Sequence, residues 1–336
     1  MRPPARPKTV AVIGAGLAGL ACAQRLQAAG WAVTLFEQGD VPGGRMRSCV
    51  GDGWQCDHGA QYFTARDPAF AAVVDEWIAT GVAATWPVRV ASWDGTEFRA
   101  SQSGLTRFVG VPDMTAPARA LAAGLEVQLL TAVRALQRNL DTWQLAVSGD
   151  DPTRTFDTVL LAVQAPVAVA LLADSAPMLA EIAADARMQP AWAVVLHFDT
   201  PVDPGYDALF VNVGPLRWVA RNSSKPGRDG AETWLLHAGA DWSQAHLDAT
   251  PDAVIARVLP TLAALGLPLP HSCDAYRWTA ASTDPPLQIG CAWDRRLSIG
   301  LCGDWLAGGK VEGAWQSGVA LAERVRAGDA AWSGHD

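Results

Sequence analysis

The chain has 336 residues, half of them apolar, and a formal net charge of −8. At about 100–200 residues per domain this length suggests two domains, or one core with a large insertion, and the apolar content excludes an intrinsically disordered chain. The acidic balance disfavours nucleic-acid or anionic-membrane binding, because both depend on positive charge. We therefore expect small-molecule partners, and no stretch approaches the about 20 apolar residues of a membrane-spanning helix.

The spacing of the cysteines and the amino-terminal residues indicate whether the protein binds a metal and in which cellular compartment it lies. The six cysteines form no Cys-x-x-Cys pair and have no histidine at metal-ligand spacing, which argues against a zinc site, an iron–sulfur cluster or a disulfide framework. The first eight residues are cationic, but glycines interrupt the apolar stretch that follows, unlike a signal peptide. We expect no metal and a cytoplasmic, reducing location.

The amino-terminal segment predicts a βαβ unit. A β-branched strand at 9–13 leads into Gly14-Ala15-Gly16-Leu17-Ala18-Gly19, a helix runs to residue 29, and a second strand at 32–36 ends at Glu37. Gly14 permits a tight turn, Gly16 lets the backbone approach a pyrophosphate, Gly19 lets helix pack on strand, and Glu37 can accept hydrogen bonds from a ribose. These features indicate a dinucleotide, either NAD or FAD.

Two further segments favour the longer cofactor. Gly43-Gly44-Arg45 follows the second strand and offers another close backbone approach and a guanidinium. Near the carboxyl terminus a strand at 297–302 ends at Gly303-Asp304, followed by glycines and a helix at 313–326. The carboxylate would meet ribityl hydroxyls, and the positive helix terminus would favour negative charge on a reduced flavin ring. Nicotinamide binding needs no such element.

The remaining elements follow from hydrophobic periodicity. Helices are predicted at 68–80, 114–123 and 251–265. Strands are predicted at 83–100 (one or two), 126–130, 143–147, 156–163, 192–198, 208–213, 218–221, 233–238 and 275–280, with a turn at 131–133. The strand-rich character between about 190 and 290 indicates an inserted sheet domain.

The chain resembles the flavin-dependent amine oxidoreductase superfamily over essentially its whole length. The resemblance is carried by the motifs Gly14 to Gly19, Glu37, Gly43-Gly44-Arg45, Gly59-Ala60-Gln61-Tyr62, Val133, Gly303-Asp304 and Glu312-Gly313-Ala314. Within the superfamily the middle of the chain resembles the bacterial renalase group. That closer resemblance is carried by residues 57–66 and 218–228, by His237-Ala238 with Trp242-Ser243, and by Tyr276-Arg277-Trp278.

The resemblance implies a Rossmann-like α/β FAD-binding domain of three layers with an inserted, mostly antiparallel β-sheet substrate domain, in the topology of amine oxidases and p-hydroxybenzoate hydroxylase. The FAD-binding domain is expected at 1–70, 112–188 and 294–328, the substrate domain at 71–111 and 189–293, and a loose tail at 329–336. It also implies non-covalent FAD, because Cys302 precedes Asp304 on the strand and is more simply a small buried residue.

The resemblance assigns cofactor contacts residue by residue. Glu37 would bind the adenosine ribose, the Val133 backbone would lie near adenine, and Arg45, Gln61 and Asp304 would follow the phosphate and ribityl path. The full set expected at the cofactor is Gly14, Ala15, Gly16, Leu17, Gly19, Glu37, Gln38, Gly44, Arg45, Gly59, Ala60, Gln61, Val133, Gly303, Asp304, Glu312, Gly313 and Ala314.

Two features bear on the substrate. Amine oxidases place an aromatic residue shortly before the Glu-Gly-Ala element, where this chain has Lys310, and a cation there would repel a protonated amine. Arg217, Arg221, Lys225 and Arg228 cluster without an acid, either as a solvated hairpin or as contacts to the phosphates of a dinucleotide substrate.

The renalase resemblance implies an oxidase for dihydro-NAD(P) isomers reduced at a position other than C4, with hydride transfer to FAD N5 and reduction of O₂ to H₂O₂. Positioning then suffices and no catalytic side chain is required. Candidates for substrate binding are Tyr62, Asn222, His237, Arg277 and Trp278, although each has a structural alternative as a core or turn residue. An amine or polyamine oxidase and a non-catalytic flavin-binding redox sensor are the alternative functions.

Overall fold

The computed structural model describes residues 7–101, 103–149 and 154–330. These residues form two compact units. The first unit combines the described residues within Met1–Gly44, Ala118–Met188 and Thr283–Asp336, and the second combines those within Arg45–Pro117 and Gln189–Ser282.

The strands are β1 (Thr9–Ile13), β2 (Ala32–Phe36), β3 (Ser48–Gly51), β4 (Trp54–Asp57), β5 (Ala83–Thr85), β6 (Val90–Trp93), β7 (Phe98–Ala100), β8 (Phe108–Gly110), β9 (Glu126–Gln128), β10 (Val133–Asn139), β11 (Thr142–Val147), β12 (Arg154–Phe156), β13 (Thr158–Leu161), β14 (Met188–Phe198), β15 (Ala208–Val211), β16 (Leu216–Arg221), β17 (Glu232–Ala238), β18 (Ser272–Thr283), β19 (Ala292–Asp294) and β20 (Ile299–Leu301). The helices are α1 (Leu17–Ala28), α2 (Pro68–Ala79), α3 (Ala116–Ala122), α4 (Ala165–Leu172), α5 (Pro177–Ala184), α6 (Ala240–Ala245), α7 (Pro251–Val258) and α8 (Lys310–Ala330), with short 3-10 turns at Asn222–Ser224, Leu259–Leu265 and Asp304–Leu306.

The first unit is built on a six-stranded sheet in the order β19-β20-β13-β1-β2-β9. All neighbours pair in parallel except β19 with β20. The central strands are almost wholly apolar and buried, as expected for strands covered on both faces. Helices α1 and α8 pack together so closely that a Cβ on Gly318 would overlap the Ala18 carbonyl oxygen.

The second unit is built on a seven-stranded sheet in the order β18-β14-β17-β16-β15-β6-β7. From β14 to β15 and between β6 and β7 the neighbours pair antiparallel, whereas β15 pairs with β6 in parallel. One face carries an apolar core shared with α7 and the 3-10 turn that follows it. The opposite face packs against the β3–β4 hairpin through a smaller cluster around Cys56, Ala193 and Leu235. This topology confirms the predicted mixed α/β architecture, a Rossmann-like unit with a mostly antiparallel sheet.

Several sequence predictions are corrected by the structure. Val133 begins β10 rather than ending a turn, because β10 is half exposed and its polar side chains masked the strand pattern. The segment 83–100 holds three short strands, and 156–163 contains the last residue of β12 and the whole of β13. The β3–β4 hairpin went unpredicted although its two-residue turn is Asp52-Gly53, a strong hairpin signal. Helices α4 and α5 and strand β19 were also not predicted.

The unit limits differ from the predicted domain limits. Residues 45–70, where β4 pairs with β3 and packs on β17, and residues 112–117 belong to the second unit, and residues 283–293 belong to the first. Helix α8 runs to Ala330, and the rest of the predicted tail lies outside the described residues. None of the helices described is long and apolar enough to cross a membrane.

Candidate functional site

The glycine turn of the first unit has the geometry of a phosphate cradle. Gly14 has φ +100°, and a Cβ there would lie 2.6 Å from the Ala162 carbonyl oxygen. Gly16 is the N-cap of α1, no side chain caps the helix, and nothing lies within 4 Å of where its Cβ would be. Gly19 allows α1 to approach the turn, since its Cβ would overlap the Gly14 carbonyl oxygen. A helix N-terminus that is open to the outside favours a phosphate.

Glu37 links the end of β2 to this turn. Its Oε2 accepts from the Ala15 backbone N–H at 2.9 Å and its Oε1 from the Gly39 N–H at 2.8 Å. Each carboxylate oxygen has a second lone pair, which is available to a ribose hydroxyl. Gln38 and Gly44 are exposed beside this end of the strand, and Leu17 is buried in the first turn of α1.

The carboxyl-terminal strand end forms a second turn. Asp304 is 5% exposed, and its backbone carbonyl oxygen accepts from the N–H groups of Ala307 and Gly309, each at 2.9 Å. The Gly303 N–H donates to Ser317 Oγ on α8 at 2.9 Å. This network fixes the Asp304 turn against the first turns of α8.

The start of α8 is unusual. Gly308, Gly309 and Lys310 all have positive φ, and Lys310 at +71° is a non-glycine residue in the left-handed region. A Cβ at Gly313 would overlap the Ala307 carbonyl oxygen, so the close approach of α8 to the preceding turn requires glycine there. Glu312 and Ala314 are half-buried near the start of α8, and Val133 is half-buried at the start of β10.

These features of the first unit together fit a flavin cofactor of dinucleotide size. They are the close approach at Gly313, the N-terminus of α1 without a side-chain cap, and the strand-end carboxylates of Glu37 and Asp304.

In the second unit the loop after β4 is fixed by a buried charge cluster. Asp57 Oδ2 accepts from Lys225 Nζ at 2.9 Å and from Arg228 Nη2 at 2.6 Å. Asp57 Oδ1 accepts from Ser48 Oγ at 2.6 Å and from the Met114 N–H at 3.1 Å. The three charged side chains are each at most 1% exposed.

The charges of the three side chains change the pKa values of Asp57 and Lys225. Burial alone would raise the pKa of Asp57, but the charges of Lys225 and Arg228 outweigh it and hold that pKa well below its usual range. Burial lowers the pKa of Lys225, an effect that the Asp57 charge opposes and the Arg228 charge reinforces. The cluster therefore places one carboxylate between two basic side chains.

The cation-rich segment is therefore not a solvated hairpin, and three of its four cations bond to carboxylates of the protein. Lys225 and Arg228 both form ion pairs with Asp57, and Arg221 forms one with Glu232 at 2.7 Å. Of the four cations only Arg217 is exposed. Sequence alone could not show this, because the partner Asp57 lies 168 residues from Lys225.

Gln61, which was expected at the cofactor, is buried, and its side chain forms hydrogen bonds within the same loop. Its Nε2 donates to the carbonyl oxygens of Asp57 and Gly59, and its Oε1 accepts from Lys225 Nζ at 3.2 Å. The Ala60 N–H donates to the Arg45 carbonyl oxygen at 2.9 Å, and a Cβ on Gly59 would overlap that same oxygen. The Arg45 guanidinium donates to the Ala281 carbonyl oxygen at 3.0 Å.

One face of the seven-stranded sheet gathers three of the five predicted substrate residues. Register pairs place His237, Trp218 and Phe210 side by side across β17, β16 and β15. The Tyr62 ring lies against this row, 5.6 Å from the Trp218 ring centroid. Trp278 packs on the same face through the cluster around Ala193.

His58 joins this face although the sequence did not single it out. Its carbonyl oxygen accepts from Trp278 Nε1 at 3.0 Å and lies 3.3 Å from His237 Nε2. Burial, with the neighbouring His237 and Arg47, lowers the pKa of His58 to about 4. Burial also lowers the pKa of His237 to about 4, so both imidazoles are neutral at pH 7.

The other two predicted substrate residues do not join this face. Asn222 is 0% exposed; its side chain accepts from the Asp57 N–H and donates to the Gln55 carbonyl oxygen, which makes it part of the support for β4. Arg277 extends from β18 to the opposite face, where its guanidinium lies 5.9 Å from the Trp192 ring and donates to the Leu247 carbonyl oxygen. Strand alternation explains this, since Arg277 lies between Tyr276 and Trp278.

A family model for flavin-containing amine oxidoreductases matches residues 90–326. The chain belongs to this family. A model for an NAD(P)-binding Rossmann-like domain matches residues 12–77. Membership of this family confirms the predicted cofactor, FAD. It also confirms the prediction that the protein is a FAD-dependent oxidoreductase.

Individual relatives resemble the chain either locally or in fold alone. Over 69 residues it is 41% identical to protoporphyrinogen oxidase 2, chloroplastic/mitochondrial, of Arabidopsis thaliana, a match that covers 20% of this chain and 14% of that protein. Cyclohexylamine oxidase from Brevibacterium oxydans IH-35A superposes with a TM-score of 0.74 at 13% identity, covering 95% of this chain and 98% of that one. Wild-type putrescine oxidase bound to putrescine gives 0.73 at 16% identity, covering 96% and 100%.

Proposed function

We propose that this amine oxidoreductase family member is a renalase-like oxidase of dihydro-NAD(P) isomers that are reduced at a ring position other than C4. The product is NAD(P)⁺. The glycine turn at 14–19, Glu37 and Asp304 would hold FAD, which would supply a two-electron acceptor for the hydride of the dihydropyridine ring; reoxidation by O₂ with two protons would give H₂O₂. The chain itself has to bind and orient the ring and to exclude competing substrates.

The observation that carries this proposal is the charge around Tyr62. Arg107 lies 5.1 Å from the Tyr62 ring, and Lys225 lies 5.4 Å from the ring of Trp86, which neighbours Tyr62. With Arg228 there are three buried basic side chains and one buried acidic side chain, Asp57. Such a field repels a protonated amine and attracts a substrate that carries phosphates.

A pKa of about 4 makes His58 and His237 weak bases, which agrees with a reaction that needs no strong base. A dihydropyridine is already a hydride donor and becomes aromatic on oxidation, so no proton has to be removed from carbon. The contact of His237 Nε2 with the His58 carbonyl oxygen places a proton on Nε2 and leaves Nδ1 as an acceptor. His237 can therefore orient a ring substituent without changing its charge.

We also propose that FAD is held without a covalent bond. Cys302 is fully buried, and its hydrogen bond with Cys22, together with burial, raises its pKa well above the usual range. A thiol that remains protonated is a poor nucleophile toward a flavin ring. Acid precipitation should release the yellow chromophore into the supernatant, and retention of the colour in the pellet would contradict this proposal.

The function is tested by anaerobic mixing of the FAD-loaded protein with three kinds of compound. Fast loss of oxidised-flavin absorbance with a non-C4 dihydronicotinamide isomer, but not with ordinary 4-dihydro-NAD(P)H or a polyamine panel, is the expected result. Readmission of air should then give one H₂O₂ per dinucleotide oxidised. Bleaching by amines would establish the amine oxidase alternative, and no bleaching by any compound would contradict the proposed function and favour a redox sensor.

A further inference from the structure

Two buried nitrogen donors in the second unit have no hydrogen-bond partner among the described residues. They are Nε of Arg107, a residue 5% exposed, and Nε1 of Trp218, a residue 6% exposed. A buried donor left without an acceptor costs about 1–3 kcal/mol, and more when it is charged. Each such group calls for an explanation, and a bound acceptor is one.

The Arg107 guanidinium is poorly matched by the protein itself. Its other nitrogens donate to the Leu105 carbonyl oxygen and to Ser103 Oγ, each at 3.3 Å, and no carboxylate within the described segments pairs with it. Arg221 and Arg228, in contrast, each have a carboxylate within 2.7 Å. A buried guanidinium that lacks an anion is suited to an oxygen supplied from outside.

Both donors border the same aromatic ring. Arg107 Cζ lies 5.1 Å from the Tyr62 ring centroid, and the Trp218 ring lies 5.6 Å from it. Phe210 and Trp86 extend the aromatic wall, at 4.7 Å from Trp218 and 6.4 Å from Tyr62 respectively. A flat ligand bound beside Tyr62 would therefore lie near aromatic rings and near both of these N–H donors.

We infer that Arg107 and Trp218 form a donor pair that binds the exocyclic carbonyl oxygen of a planar aromatic ring, an amide or a carboxylate. The inference rests on the proposed function to the extent that a dihydronicotinamide carries such a carboxamide. The site itself requires only a ring and an acceptor oxygen. Its test is a binding measurement that needs no turnover.

The experiment is isothermal titration calorimetry of the FAD-loaded protein with nicotinamide, nicotinate and 3-pyridylmethanol, which share a ring but differ in the carbonyl group. Wild-type protein should bind nicotinamide or nicotinate at least about tenfold more tightly than 3-pyridylmethanol, the size of effect one or two good hydrogen bonds produce. A preference for nicotinate over nicotinamide would assign the site to an anion, and the reverse to an amide.

Two variants locate the preference. Trp218→Phe removes only the indole N–H and part of the ring, and Arg107→Lys keeps the charge but removes Nε. Each should reduce the preference for the carbonyl ligands about tenfold. Trp293→Phe is the matched control, because Trp293 Nε1 is also buried without a described partner but lies in the first unit; it should leave the preference unchanged.

The outcomes separate this inference from the proposed function. Loss of the preference in both variants supports the donor pair even if the wild-type protein oxidises no dihydronicotinamide isomer. A wild-type protein that oxidises the isomer but shows no preference for the carbonyl ligands, or variants that both keep it, would overturn the donor pair and leave the function standing.

Discussion

Lys225 Nζ donates to Asp57 Oδ2 at 2.9 Å, and the two side chains are 0% and 1% exposed. Arg228 donates to the same oxygen at 2.6 Å, so one carboxylate oxygen joins two cations from the loop after β16 to the end of β4. This contact fixes the start of the segment that carries Gln61 and Tyr62. It is also the point where a single change should have the largest effect on the second unit.

We expect Asp57→Asn to destabilise the protein by about 3–5 kcal/mol, because it leaves two buried cations without their anion. Urea denaturation followed by far-UV circular dichroism measures this loss. Asp203→Asn is the matched control, since its partner Arg89 is also bonded at 2.9 Å but both side chains are about half exposed. The control should cost far less, and equal losses in the two variants would contradict the assigned role of burial.

The two buried histidines should make stability depend on pH between about 4 and 6.5. Their folded-state pKa of about 4 lies below the usual 6.5, so the unfolded chain binds more protons in this window. Their contribution is complete above pH 6.5 and is lost as the pH falls toward 4. His237→Asn should flatten this slope in thermal-unfolding curves, whereas His271→Asn, at an exposed position, should not.

Gly313→Ala should weaken flavin retention and lower the melting temperature, since the added Cβ overlaps the Ala307 carbonyl oxygen and pushes α8 from the preceding turn. Gly328→Ala in the same helix meets nothing closer than 3.6 Å and should raise stability by up to about 1 kcal/mol. Flavin absorbance per mole of purified protein is the measurement. Equal flavin content in the two variants would remove Gly313 from the predicted cofactor site.

Asp304→Ala should reduce FAD content, as expected if this strand-end carboxylate meets the ribityl chain. Its backbone bonds to Ala307 and Gly309 do not use the side chain, so the turn should persist. Asp174→Ala, on the exposed surface of the same unit, is the control. Normal FAD content in Asp304→Ala would contradict the assignment.

Lys310→Tyr tests the distinction between amines and dinucleotides. Lys310 is exposed and has φ +71°, so any non-glycine residue bears a similar backbone cost there. Isomer oxidation should continue in the variant at a rate within a few-fold of wild type, measured by anaerobic flavin bleaching. Loss of isomer oxidation with intact FAD content would show that the cation at 310 acts on the substrate.

The sequence by itself was sufficient for the elements whose chemistry is local. The glycine turn, the strand that ends at Glu37 and the Gly303-Asp304 strand end follow from short-range patterns, and the structure places each of them at the end of a strand. Buried parallel strands were also predictable, because a continuous apolar run has few alternatives. The flavin cofactor followed from these motifs together.

Only the tertiary structure decided how the charged and aromatic residues are used. Lys225 and Arg228 belong to the protein interior because Asp57, far away in sequence, supplies the anion. Strand alternation separates Arg277 from Trp278, and burial turns Asn222 into a support for β4. The unpartnered donors of Arg107 and Trp218 have no signature in the sequence, since a missing hydrogen bond depends on everything that surrounds the group.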